Sequence, residues 1–201
     1  MNYILFINAA VSLIMGCALV LVWRRDPTQT FTRYIGWANL VQLLVPMTYL
    51  LKTHGGGLAD TVGNFALAGV AALYSTLLLV GTAHLASKPI PRQFVWTSLV
   101  LMAVINSLAI GWGGPRLGQA SMGSINTVLG VICTYWLWNA DVGRYKSEKL
   151  VGPLLVLLGL IQFIYVTYQE EGAALLATLG ALLRLTLGLV LLYAALDRGT
   201  V

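Results

Sequence analysis

Residues 178–190 read TLGALLRLTLGLV, an apolar run with a single arginine, Arg184, near its middle. The run sits inside a longer hydrophobic stretch, about 172–196. A bilayer crossing needs about 20 mainly apolar residues, so this stretch is long enough to span one. A guanidinium at the centre of a bilayer costs at least ~2.5–3.5 kcal/mol unless something solvates or pairs it. The stretch sets the fold class, and the arginine sets the functional question.

Six further stretches share the same character, approximately 3–23, 33–51, 62–86, 94–112, 119–138 and 150–168. Their connections, RRDPTQTFT, KTHGGGLAD, SKPIPR, GWGGPRLG, NADVGRYKSEK and QEEG, are short and mostly rich in Gly, Pro or charge. A membrane β-barrel would show alternating segments of about ten residues, whereas these runs are continuously apolar. The chain has 201 residues, 58% hydrophobic and 9% charged. A soluble domain carries about a quarter charged residues. The reading is therefore an all-α, polytopic membrane protein, a seven-transmembrane-helix bundle spanning 1–201 as one domain.

The basic residues orient it. With the N-terminus outside, Arg24, Arg25, Arg33, Lys88, Arg92, Arg144, Lys146, Lys149 and Arg198 lie on the cytoplasmic side, against Lys52 and Arg116 outside. That bias predicts an N-out/C-in topology. The net charge of +5 is read as this loop bias, not as a nucleic-acid footprint. Trp23, Trp37, Trp96, Trp112 and Trp138 fall near predicted helix ends, where indoles favour the interface. The expected location is a bacterial inner membrane, with the lipid bilayer as the principal partner.

Polar residues inside the helices recur at steps of three and four, which places each set on one face. Helix two carries Asn39, Gln42, Pro46 and Tyr49, and helix three Asn64, Ala68, Ala71, Ser75 and Thr82. Helix five carries Gln119, Gly123, Asn126 or Thr127, Gly130 and Thr134, and helix six Gln162, Tyr165 and Gln169. Such faces turn toward neighbouring helices. Gln42, Tyr74, Asn106, Asn126, Gln162 and Arg184 fall at a common depth, within about a turn of the midplane at ~1.5 Å per residue. With Tyr165, they form the candidate ligand-binding set.

Around Arg184, the positions Ala173, Ala177, Gly180, Ala181 and Gly188 are small, so the arginine projects from the face that packs. The acids lie in connections or at helix ends, at Asp26, Asp60, Asp141, Glu148, Glu170, Glu171 and Asp197. Glu171 and Asp197, the acids nearest in sequence, are both about 20 Å away along a helix axis. The alternatives for Arg184 are neutral hydrogen-bond acceptors, a water-filled cavity or an anionic ligand. A guanidinium recognises a carboxylate bidentately, and an apolar bundle suits an amphipathic body.

His54 and His84 are expected on opposite sides of the membrane, so no shared haem or metal site is expected. Cys17 and Cys133 read as small thiols within helices. Helix seven has no lysine for a retinal Schiff base, and no intramembrane acid pair or protease signature is present. The expectation is no enzyme activity, no cofactor and no metal within these residues.

Residues 33–92, RYIGWANLVQLLVPMTYLLKTHGGGLADTVGNFALAGVAALYSTLLLVGTAHLASKPIPR, carry a Trp-Ala-Asn helix, a short outer connection, a Gly-Asn start and a Lys-Pro-x-Pro-Arg turn. This pattern resembles the seven-helix N-terminal sensory regions of proteobacterial diguanylate cyclases and histidine kinases. The resemblance covers about a third of the chain well, and the rest in helix count. It implies a homodimeric sensory module that signals through helix seven to a cytoplasmic output domain, while the expected ligand, small and anionic or lipid-like, comes from the reading of Arg184 and the bundle interior. Any catalysis would lie outside these residues, in an isolated sensor or part of a longer chain. The alternative is a small-solute or ion transporter or channel using the polar layer, against which the lack of an internal repeat counts.

Overall fold

The computed structural model describes residues 2–48, 56–139, 147–167 and 173–199. Among them the chain is helical throughout, apart from its turns. The helices are α1 (Asn2–Arg25), α2 (Thr30–Val41), α3 (Gly56–Leu85), α4 (Arg92–Gly114), α5 (Arg116–Trp138), α6 (Val151–Thr167) and α7 (Ala173–Gly199). A single turn of 3₁₀ helix, Glu148–Leu150, leads into α6. Six of the seven, all but α2, are long and apolar enough to cross a membrane.

Local chemistry fixes each boundary. α1 stops before Asp26-Pro27, because proline disfavours the helical region for the residue preceding it. The Asp26 carboxylate then accepts from the Thr28 hydroxyl at 2.6 Å, the Thr28 amide at 3.1 Å and the Gln29 side-chain amide at 2.9 Å. Those bonds, led by the Thr28 hydroxyl, hold the carboxyl below the ordinary aspartate range. α3 ends in a Schellman motif, with Lys88 N–H on the Ala83 carbonyl, Ser87 N–H on the His84 carbonyl, and Ser87 at φ 53°.

Three boundaries differ clearly from the sequence reading, the first being that of α3, which starts at Gly56 rather than at about 62, so that the GGLAD of the expected connection is helical. The expected span 33–51 is not one continuous helix: the chain turns at Gln42–Leu43 before residues 44–48 become helical again. Pro46 explains this, since it has no N–H for the Gln42 carbonyl and its ring clashes there. That carbonyl accepts from Val45 N–H at 3.1 Å instead. Residues 49–51 lie outside the described residues. The expected connection GWGGPRLG is helical almost throughout, with the break confined to Gly114 (φ 68°, ψ −166°). Glycine reaches that conformation at little cost, so one residue reverses the chain.

Consecutive helices run antiparallel and pack in a ring, which α1 and α7 close. Ser12 meets Gln42, Ile35 sits beside Gly81, and Asn106 meets Ser121; Gly130 faces Val156, and Glu148 meets Arg198. On the closing seam Asn8 lies beside Arg184 and Met15 against Gly188, so α1 and α7 run parallel. Alternating directions then gather Arg24, Arg25, Arg33, Lys88, Arg92, Lys149 and Arg198 at one end of the bundle. Arg116 is at the other.

The main core joins Leu19, Phe31, Ile35, Tyr74, Leu78, Cys133, Leu155, Leu158 and Leu191, from every helix but α4. α3 is more enclosed than a one-faced helix. Tyr74–Thr76 and Leu78–Ala83 are all buried, because α2, α4 and α5 surround it.

Candidate functional site

α7 presents Ala181, Leu187, Leu191, Ala194 and Ala195 to the interior, and Arg184 lies on that buried face, as its small neighbours predict. Its Nη1 donates to Asn8 Oδ1 on α1 at 3.5 Å, a long and therefore weak bond. Its Nε is buried without a hydrogen-bond partner. Among the described residues, no carboxylate pairs with Arg184.

The remaining polar positions fall into three hydrogen-bonded groups. In the first, the Ser75 hydroxyl donates to Asn126 Oδ1 at 2.9 Å, and Asn126 Nδ2 donates to Gln162 Oε1 at 3.1 Å, linking α3, α5 and α6. In the second, beside Arg184 and Asn8, the Ser12 hydroxyl of α1 donates to Gln42 Oε1 at 3.2 Å, at the break after α2. Asn106 stands apart: almost fully buried, it accepts from the Ser121 hydroxyl at 2.8 Å across the α4–α5 hairpin. Tyr165 is half-buried on α6, and the structure gives it no hydrogen bond to the others among the described residues. Tyr49, His54 and Gln169 lie outside the described residues.

Two spaces flank this chemistry. Between α3, α5 and α6, Tyr74, Asn126, Cys133 and Leu155 help to line a cavity of about 10 Å³, the size that admits one water. Between α1 and α7 runs a groove of about 160 Å³, lined by Ile7, Val11, Ala177, Thr178, Ala181, Leu182 and Leu185. The groove is overwhelmingly apolar and open on its outer side. Ile7 and Val11 bracket Asn8, and Ala181 and Leu185 bracket Arg184.

The sequence reading gave helix one no polar face, and so missed Asn8 and Ser12. Their spacing of four, continued by Met15 and Leu19, was the available signal. It also missed the ion pair at the basic end. Arg198 Nε donates to Glu148 Oε1 at 2.7 Å and Nη2 to Glu148 Oε2 at 3.0 Å. Nη2 also donates to the Leu85 carbonyl at 2.9 Å, and the guanidinium lies 5.3 Å from the Phe31 ring centroid. Glu148 is buried and Arg198 partly so, and the pair joins α7, the turn before α6, the end of α3 and the start of α2. Nearby, His84 stacks on Tyr34 at 5.1 Å, and Arg33 lies over Trp23 at 4.8 Å.

No protein-family description, curated protein or solved structure matches the chain.

Proposed function

We propose that this chain is a membrane sensory module of the kind its sequence resembles, set N-out/C-in in a bacterial inner membrane. It takes a small anionic ligand beside Arg184 and passes the change along α7 to a cytoplasmic output domain, as a homodimer. The observation that carries the reading is the charge of Arg184, which no carboxylate among the described residues pairs, on the buried face of α7, with a weak Asn8 contact and a buried, unpartnered Nε. An anion there supplies the missing charge-assisted hydrogen bonds.

α7 suits the transmitting role. Arg184 and Arg198 lie on one continuous helix, 14 residues or ~21 Å apart. The first meets α1 and the second grips α3 and the turn before α6. A ligand that binds two packings of α7 differently shifts the equilibrium between them by that difference in affinity. The transport alternative has less support: the interior cavity between α3, α5 and α6 has room for about one water.

The test is Arg184→Gln in the purified protein, with binding of small carboxylates followed by calorimetry. Binding is expected to fall by about tenfold or more, the loss of a charged bidentate contact, with helix content unchanged. Unchanged carboxylate affinity in the variant would sink the reading. Reproducible carboxylate flux in proteoliposomes would replace it with transport.

A further inference from the structure

We infer that the end of α1 and the start of α2 together bind the headgroup of an anionic phospholipid, in the leaflet at the basic end of the bundle. The inference needs the bundle to cross a membrane, but it is independent of any ligand at Arg184. Arg24 and Arg25 end α1, and Arg33 lies in the first turn of α2; all three are exposed. The connection between them holds one acid, Asp26, and both its oxygens are taken. Oδ1 accepts from the Thr28 hydroxyl and amide, and Oδ2 from the Gln29 side-chain amide. Among the described residues no carboxylate pairs with any of the three arginines.

Arg33 is also held in place. Its guanidinium carbon lies 4.8 Å from the Trp23 ring centroid and 5.7 Å from that of Tyr34. A ring face steadies a guanidinium while leaving N–H groups at its edge to donate, and that edge matches phosphate oxygens bidentately. The contact with Trp23 sets this arginine of α2 against the end of α1, beside the residue that precedes Arg24 in the chain.

The surface next to these charges makes the anion a lipid. Leu21 stands one turn before Arg24 and Arg25, and Trp37 one turn after Arg33, each on the same helix face as its arginine. They are 63% and 47% exposed, and both lie on the side of the arginines toward the middle of the bundle. Indoles favour the membrane interface, at the level of the headgroups. A phospholipid meets both surfaces at once, with its phosphate at the arginines and an acyl chain along Leu21 and Trp37. A free phosphate meets only the first. Lys88 and Arg92 carry charge at the same end, but among the described residues neither lies over a ring, which makes them the control.

The experiment measures binding of dioleoyl phosphatidylglycerol and dioleoyl phosphatidylcholine to the purified full chain in neutral detergent, by native mass spectrometry and thermal shift. Phosphatidylglycerol is expected to bind the more tightly. Arg24→Gln and Arg33→Gln are each expected to weaken it about fivefold, the effect of one basic residue near an anionic surface. Arg24→Gln keeps the Arg33–Trp23 contact, so it reports on binding even if the loss of that contact loosens the hairpin. The double variant Lys88→Gln/Arg92→Gln is expected to leave phosphatidylglycerol binding unchanged. Equal binding of the two lipids, or an equal loss in the double variant, would overturn the site and leave only the general charge bias of that end. Displacement of phosphatidylglycerol by an equimolar amount of glycerol phosphate would overturn the lipid assignment. Carboxylate binding at Arg184 is read in a separate assay, so the two proposals stand or fall apart.

Discussion

At the scale of single residues, two arginines on α7 have opposite circumstances. Arg198 is held by a bidentate carboxylate, a helix-terminal carbonyl and an aromatic face. Arg184 has, among the described residues, one long bond to a neutral amide. A charge pair enclosed as Glu148 and Arg198 are is not in itself strong evidence of stability, since desolvation offsets much of the attraction. Breaking it is costly, because Arg198, only 22% exposed at its side chain, loses its carboxylate in a largely enclosed setting. Glu148→Ala is expected to destabilise the protein by about 3 kcal/mol, the low end for an enclosed pair because Arg198 retains the Leu85 carbonyl. Glu148→Gln, which keeps an acceptor, should cost less. SDS or urea unfolding of the purified variants measures both, and equal stability of Glu148→Ala and wild type would refute the role. Arg184 was legible in the sequence because a lone charge in an apolar run is conspicuous. Glu148 was not, because an acid in a polar connection gives no sign that folding will bury it.

Between elements, the closest helix contact is that of α5 with α6. A methyl group added at Gly130 would sit 2.5 Å from the Val156 amide nitrogen, and one at Gly159 2.5 Å from the Thr127 amide nitrogen. Backbone atoms cannot step aside as side chains do, so any Cβ there must separate the helices. Gly130→Ala is expected to destabilise by about 1–3 kcal/mol, in the range for overpacking. Gly69→Ala on α3, where nothing lies within 4 Å, should be neutral or gain up to about 1 kcal/mol from helix propensity. Chemical denaturation of the pair decides it: similar effects at both positions would mean that close approach is not what holds α5 to α6. The three- and four-residue spacing of Gln119, Gly123, Asn126 or Thr127, Gly130 and Thr134 pointed to a packing face on this helix, without choosing between Asn126 and Thr127. The break at Gln42 was foreshadowed by Pro46 but read as continuous, since an apolar count does not register a missing amide.

For the whole molecule, the parallel closing seam constrains topology. If every helix from α1 to α7 reverses direction, an odd number of traverses separates the two ends. The parallel run of α1 beside α7 is what seven alternating helices require, six of them long and apolar enough to cross a membrane. If the basic end faces the cytoplasm as proposed, a cysteine placed at Lys88 is expected to be labelled only from the cytoplasmic side, and one at Arg116 only from outside. Both are introduced after Cys17 and Cys133 are replaced. Labelling of the two from the same side would rule out the assigned topology.

The sequence by itself determined the helical class, the position of most helix ends and the isolation of Arg184 from acids near it in the chain. Each of these depends on composition or on spacing within one helix, which the order of residues carries directly. Only the tertiary structure decided that Asn8 is the neighbour of Arg184, that Glu148 is the partner of Arg198, and that a groove opens between the first helix and the last. Those pairs are 176 and 50 residues apart. Contacts at such separations follow from which helices become neighbours when the ring closes. TLGALLRLTLGLV shows the charge, and the arrangement of seven helices supplies its surroundings.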